Sequence, residues 1–302
     1  MNGSLVPLVL PRARAVTAAL SAPAPPPLEP DEHHEVRRLL EDRLGSLAAG
    51  TDEEIRVDAH EMAVVLGGDR PYDRTEPFRW SPTTARRSIG IAAVRSVVRG
   101  VHRTPAAATA AAIAEAVGDA EAGRARRNSP DAWLAGAPGG VRALVQAEAV
   151  TWATQLLTAL EWSALDPGPE IGRDERWRSS GSPRVCVVGR AEVRALADRP
   201  APAGPRWAAR RTPHPDGVPR RPALFSVLGG SPGPASRHQL AVVALVEVLA
   251  HPGRPTPARV LGWWPAPGRA VLVPVDRAGL EEAAEAVVEV VAARASGASA
   301  TA

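Results

Sequence analysis

Apolar residues in the first half of the chain recur at three- and four-residue spacing, which is the signature of one helix face turned toward a core. Ile89, Ala93, Val94, Val97 and Val98 form one such stripe, opened by Ser81 as N-cap and Pro82 at the first helical position. Thr104-Pro105 repeats the cap-then-proline pattern before an Ala-rich helix that runs to about Val117. Asp131 to Leu134 reads as a short turn with Trp133 facing inward. The longest periodic run is Val141–Leu165, where Leu144, Val145, Ala149, Trp152, Leu156, Ala159 and Leu160 share a face. Upstream, Asp31–Leu47 reads as a helix with acids at its start, where the macrodipole favours them. Thr51–Leu66 reads as a second helix with TDEE as a capping box.

Past Pro167 and Pro169 the period changes. Short β-type runs appear, bounded by Pro/Gly turns. Strands are predicted over Ile171–Arg178, Val185–Leu196, Ala223–Leu228, Ala258–Trp264 and Ala270–Val275, the last two as a hairpin through PAPG. Helices are predicted over Ser236–Ala250 and Arg277–Arg294. Pro200–Arg221 reads as a basic, Pro-rich loop. The division expected is a disordered Pro-rich tail (1–30), a helical region (31–140), a core (141–295) and a frayed tail (296–302). No internal repeat is present. The fold class is α/β (α+β), with a mixed sheet flanked by helices.

The order of helix, three strands, helix, strand resembles the αβββαβ core of the PD-(D/E)XK nuclease superfamily, in its RecB-like branch. The resemblance covers roughly Val141 to Arg294. Gly189-Arg190-Ala191-Glu192 stands where that branch carries "GRxD", and Phe225-Ser226-Val227-Leu228-Gly229-Gly230 stands where it carries "DxK" and Thr-Gly. Gln239 stands at the start of the next helix, with Val243 replacing an aromatic residue one turn on. The resemblance implies a helix glutamate, Glu148 or Glu161, together with Glu192 and Gln239 as catalytic residues. It also implies Mg²⁺ held by Glu192. Such a metal polarises the scissile phosphate and lowers the pKa of the attacking water. Two further positions depart from the family at the chemistry itself: Ser226 replaces the second carboxylate and Leu228 replaces the lysine. An enzyme lacking both loses several kcal/mol of transition-state stabilisation, at about 1.4 kcal/mol per tenfold in rate. The expectation is a nuclease-family protein that binds DNA and is catalytically impaired or retains a weak metal-dependent activity through Glu148, Glu192 and Gln239.

Composition sharpens this. The 302 residues contain no lysine, so all 36 basic residues are arginine and none can migrate into the missing lysine's role. The net charge is only +3. The pI near 10.1 follows from having almost nothing that titrates between His and Arg, so it does not by itself point to nucleic acid. Local charge is more informative. Between Arg173 and Arg221 stand twelve arginines against five acids, with Trp177 and Trp207 interleaved. Arginines along a groove with rings for stacking suit single-stranded nucleic acid. On this reading Arg190, Arg210, Arg211, Trp207 and Arg237 bind DNA. The basic positions Arg86, Arg87, Arg95 and Arg99 lie off their helix's apolar stripe, as a solvated face or a phosphate-contacting one.

Other chemistry is thinly represented. The chain has no P-loop, no GxGxxG after a strand, no HExxH and no GxSxG. Adjacent His33 and His34 point about 100° apart on a helix and do not share an ion. Gly229-Gly230-Ser231-Pro232-Gly233 reads as a strand-to-helix loop, His238 as a helix-start residue, and His214 as a turn residue. Cys186, the single cysteine, excludes a disulfide framework. No apolar run reaches a membrane span and no signal peptide is legible, so the expectation is a cytoplasmic protein without a membrane partner. The alternative function is a structural or adaptor protein that uses the Arg-rich surface for protein partners.

Overall fold

The alternating run Val185–Leu196 becomes the strand that the sheet is built around. The structure, a computed structural model, describes residues 8–9, 13–20, 25–47, 54–59, 62, 80–165, 169–182, 184–196 and 221–300. The chain forms two compact units. One comprises Met1–Tyr72 and Ser163–Ala302, and the other Asp73–Trp162.

The first unit is of the α/β class. Its strands are β1 (Leu8–Val9), β2 (Ile55–Asp58), β3 (Glu170–Arg178), β4 (Val185–Leu196), β5 (Pro222–Val227), β6 (Arg259–Trp264) and β7 (Arg269–Pro274). They form one mixed, seven-stranded sheet in the order β1-β7-β6-β5-β4-β2, with β3 also paired to β4. Strands β3, β4 and β5 are antiparallel neighbours, β5 and β6 are parallel, and β6–β7 is an antiparallel hairpin. The parallel β5–β6 pair needs a crossover. Helix α7 (Ser236–Ala250) supplies it. Residues Gln239 to Leu249 of α7 are all buried, as expected of a helix that is apolar on every side. It packs in one core with α2 (Pro30–Leu47), α8 (Arg277–Ala300) and alternate residues of β4 such as Val185, Val187 and Ala191. Gly189 permits this approach. A Cβ there would stand 3.0 Å from the Val246 Cβ and 3.3 Å from the Val243 Cα.

Several expectations change. The segment read as a helix from Thr51 contains β2, which pairs in parallel with Val185–Val188. Residues Ile55, Val57 and Asp58 are buried, and a neighbouring strand with open hydrogen-bonding groups outweighs local helix propensity. Residues 51–53, which carry the capping box, lie outside the described residues. The Pro-rich tail contributes β1 and α1 (Ala13–Leu20), whose Val16 and Leu20 are buried. Buried Arg259 donates to the Ala19 carbonyl at 2.9 Å, and Arg221 donates to that of Pro25. The last helix continues past Arg294 to Ala300, through the expected frayed tail.

The second unit holds α3 (Pro82–Val98), α4 (Pro105–Glu121), α5 (Pro130–Gly136) and α6 (Gly139–Ala159). Ser81 and Thr84 close a full capping box at the start of α3, and Thr104 and Ser129 cap α4 and α5. The compact units divide after Trp162, whereas the sequence pattern sets a boundary near residue 140. The long helix α6 is part of this helical unit, because its Val145 and Ala149 share a core with Ile89, Ile113 and Leu134. Helix α2 belongs instead to the α/β unit, where Val36, Leu40 and Leu44 are buried. The segment after α6 breaks into a short 3-10 turn, Trp162–Ala164. No helix among the described residues is long and apolar enough to cross a membrane.

Candidate functional site

Strand β4 has an unusual edge. Val193 and Arg194 pair with both β3 and β5, so β3 and β5 flank β4 on opposite sides. Cys186–Val188 pair with both β3 and β2, so β2 also lies opposite β3. Strands β2 and β5 thus share one edge of β4 and end facing each other near residues 189–192. Backbone groups at two such strand ends lack ladder partners and need other ones.

Side chains supply them. The Val227 N–H donates to Glu192 Oε2 at 2.7 Å, and the Ser226 hydroxyl donates to the Arg190 carbonyl at 2.8 Å. Arg190 Nη2 donates to Asp58 Oδ2 at 2.5 Å. Glu192 is 3% exposed and Ser226 is also buried, so both are parts of the sheet rather than groups held out to solvent. The Asp58 side chain is likewise 3% exposed. A buried carboxylate is tolerated only when paired and hydrogen-bonded, which is the condition of Asp58.

The remaining expected residues are spread out. Gln239 is buried in the first turn of α7, where its N–H donates to the Ala235 carbonyl at 3.0 Å. Glu148 lies in the helical unit, 3.6 Å from Arg86. Arg237 stands 3.8 Å from Glu282. Leu228 packs partly buried against the α/β core. Trp207, Arg210 and Arg211 lie outside the described residues. Trp177 is 3% exposed and is a core residue, not a stacking platform. Of the arginines in the basic stretch, Arg178 pairs with Glu54, Arg194 with Glu247, and buried Arg221 donates to the Thr256 and Pro257 carbonyls. Cys186 is buried, and burial pushes its thiol pKa up, which leaves it a poor nucleophile.

Two constellations were missed at the level of sequence. In the first, Glu41 of α2 grips the β3–β4 turn. One of its oxygens accepts from the Ser180 N–H at 2.9 Å and the Ser180 hydroxyl at 2.8 Å. The other accepts from the Gly181 N–H at 3.0 Å and from the Ser179 hydroxyl. Burial pushes the Glu41 pKa up, but the hydrogen bonds from Ser179, Gly181 and Ser180 outweigh it and hold the carboxyl below its ordinary value. The sign follows directly. A carboxyl with a lowered folded-state pKa contributes stability above its unfolded pKa, and that contribution is lost as pH falls through the folded value. The stability difference between wild type and Glu41→Gln is therefore expected to be largest near neutral pH and to shrink on acidification below the usual carboxylate range. Urea titrations at a series of pH values measure it. A difference independent of pH removes this role.

In the second, Glu175 of β3 meets Glu247 and His251 at the end of α7, with one ligand atom from each within 4.8 Å of the others. His251 Nε2 lies 3.0 Å from Glu175 Oε2, and Glu247 Oε1 accepts from Arg194 Nε at 2.9 Å. The only trace in the sequence is the one-turn spacing of Glu247 and His251. Nothing local places Glu175 beside them. Among the described residues this is the group with metal-ligand geometry, and Glu192, Glu148 and Gln239 are not in it.

The chain matches no protein-family model, no curated protein and no solved structure.

Proposed function

We propose that this chain is a DNA-binding protein on a PD-(D/E)XK-like scaffold that does not hydrolyse phosphodiester bonds. The observation that carries the reading is the engagement of Glu192. Its carboxylate accepts the Val227 N–H inside the sheet, which is the work of a missing ladder partner. Ser226 and Leu228 replace the carboxylate and lysine that the resemblance calls for, and the chain offers no lysine in their stead. Binding draws on residues 197–220, where five arginines and Trp207 stand against two acids. Among the neighbouring arginines, Arg178, Arg194 and Arg221 already have partners within the chain.

The test is a titration of labelled single- and double-stranded DNA with the full chain, with and without Mg²⁺ or Mn²⁺, run on native and denaturing gels. The expected result is a shift without cleavage. Log K should fall against log salt with a slope near −4.5 for duplex if each of the five arginines neutralises one phosphate, at about 0.9 per contact. Metal-dependent cleavage that Glu192→Gln abolishes would overturn the non-catalytic reading. The absence of any shift at low salt would overturn DNA binding and favour protein-partner capture.

A further inference from the structure

We propose that Glu175, Glu247 and His251 form a binding site for one first-row divalent cation, zinc above all, at the junction of β3 and the C-terminus of α7. This inference does not rest on the DNA-binding reading and concerns none of its residues.

Geometry comes first. Ligands that share an ion at about 2.0–2.2 Å must lie within roughly 4.4 Å of one another. The three donor atoms stand within 4.8 Å, close to that separation with the side chains as they are. Glu247 and His251 are one helical turn apart, with the His251 N–H donating to the Glu247 carbonyl, so both project from the same end of α7. Glu175 arrives from the sheet, opposite Gly189.

Charge gives the second argument. Glu247 is 6% exposed on its side chain and Glu175 is 15% exposed. Arg194 donates to Glu247 at 2.9 Å and stands 3.6 Å from the more exposed Glu170. Two largely buried carboxylates and an imidazole gathered in one group are a ligand set that suits a divalent cation. Because the site caps a helix C-terminus, the macrodipole also favours a cation there.

Space gives the third. Glu175 and Glu247, with Arg194 and the apolar Ala191, Leu224 and Val243, line a partly open cavity of about 10 Å³ that His251 does not line, about the smallest volume that holds one water. A three-residue ligand set leaves a coordination position for that water. An imidazole with two carboxylates selects a borderline cation over Mg²⁺ or Ca²⁺, which prefer all-oxygen shells. The consequence is mechanical: the ion ties the end of α7 to the sheet.

The experiment uses the full chain stripped with EDTA, reloaded with Zn²⁺ and desalted. The expected result is about one zinc retained per chain, with a Tm that rises with zinc concentration. Zinc affinity should fall by about 100-fold or more in His251→Ala and in Glu175→Gln, and should be unchanged in His34→Ala. X-ray absorption on the wild-type protein should show one imidazole, light oxygen ligands and no sulfur, which tests the site even if a variant fails to fold. No zinc retained by the wild type, zinc held equally by both ligand variants, or a shell with sulfur or several imidazoles would each overturn the site.

Discussion

Arg190→Met is expected to destabilise the α/β unit by about 2–4 kcal/mol, because it takes the guanidinium away from a buried carboxylate. Asp58 is 3% exposed on its side chain and stands 2.5 Å from the Arg190 guanidinium. The arginine is itself partly exposed, so water can reach the vacated space and the loss falls short of the extreme for a deeply buried pair. Adding Asp58→Asn to Arg190→Met removes the buried charge and should recover most of the loss. The double-mutant cycle then reports the coupling. A loss no larger than that of a surface substitution, or no recovery in the double variant, would remove the pair from the account of the sheet edge. The same variant separates two roles for Arg190. If its guanidinium serves the sheet, the folded fraction of Arg190→Met keeps the wild-type salt slope for DNA; if it serves a phosphate, the slope drops by about 0.9.

Trp264→Ala is expected to cost about 3–5 kcal/mol, the range for deleting a buried aromatic ring. Trp264 is 2% exposed and is the largest fully buried side chain among the described residues. Its ring lies over Gly262, two residues back on the same face of β6. A Cβ on Gly262 would stand 2.8 Å from that ring and 2.9 Å from the Leu240 Cδ1 of α7. Gly262→Ala alone should therefore cost about 1–3 kcal/mol by overpacking. In the Trp264→Ala background the same alanine enters the space the ring vacates, so its cost should largely disappear. Urea denaturation of the two single variants and the double variant measures this non-additivity. Simple addition of the two losses would mean that ring and glycine do not share that space.

Much of the α/β unit was legible in the chain. The strands β3 to β7 and helices α7 and α8 fall close to the runs that periodicity marked, because each is a local pattern bounded by prolines and glycines. The meander, the crossover and the hairpin follow from those patterns with few topological choices. Helices α3 and α4 of the second unit were equally plain, since Ser81 and Thr104 each announce a start, whereas α5 read only as a short turn.

The failures have one cause. Strand β2 is four residues long and carries Arg56 and Asp58, so it lacks the local signature of a strand. It becomes one because β4 offers it an edge. Helix α6 has a clear apolar stripe, but a stripe does not name its partner, and Ile89 and Ile113 claim it rather than the sheet. The N-terminal tail looks too proline-rich to order, yet Arg221 and Arg259 hold its carbonyls from 196 and 240 residues away.

The sites divide the same way. Glu192, Ser226 and Arg190 could be singled out by residue type and by their place in strands. Their chemistry could not, because whether a carboxylate binds a metal or replaces a ladder partner depends on which strand ends beside it. Glu175 carries no local signal at all and gains significance only from the register that sets it across from the end of α7. The amino-acid sequence by itself determined the elements, the absence of lysine and the basic character of residues 197–220, because these are properties of neighbouring residues and of composition. Only the tertiary structure decided which helix joined which core, which arginines were already spent and which carboxylates met, because those outcomes depend on contacts between residues far apart in the chain.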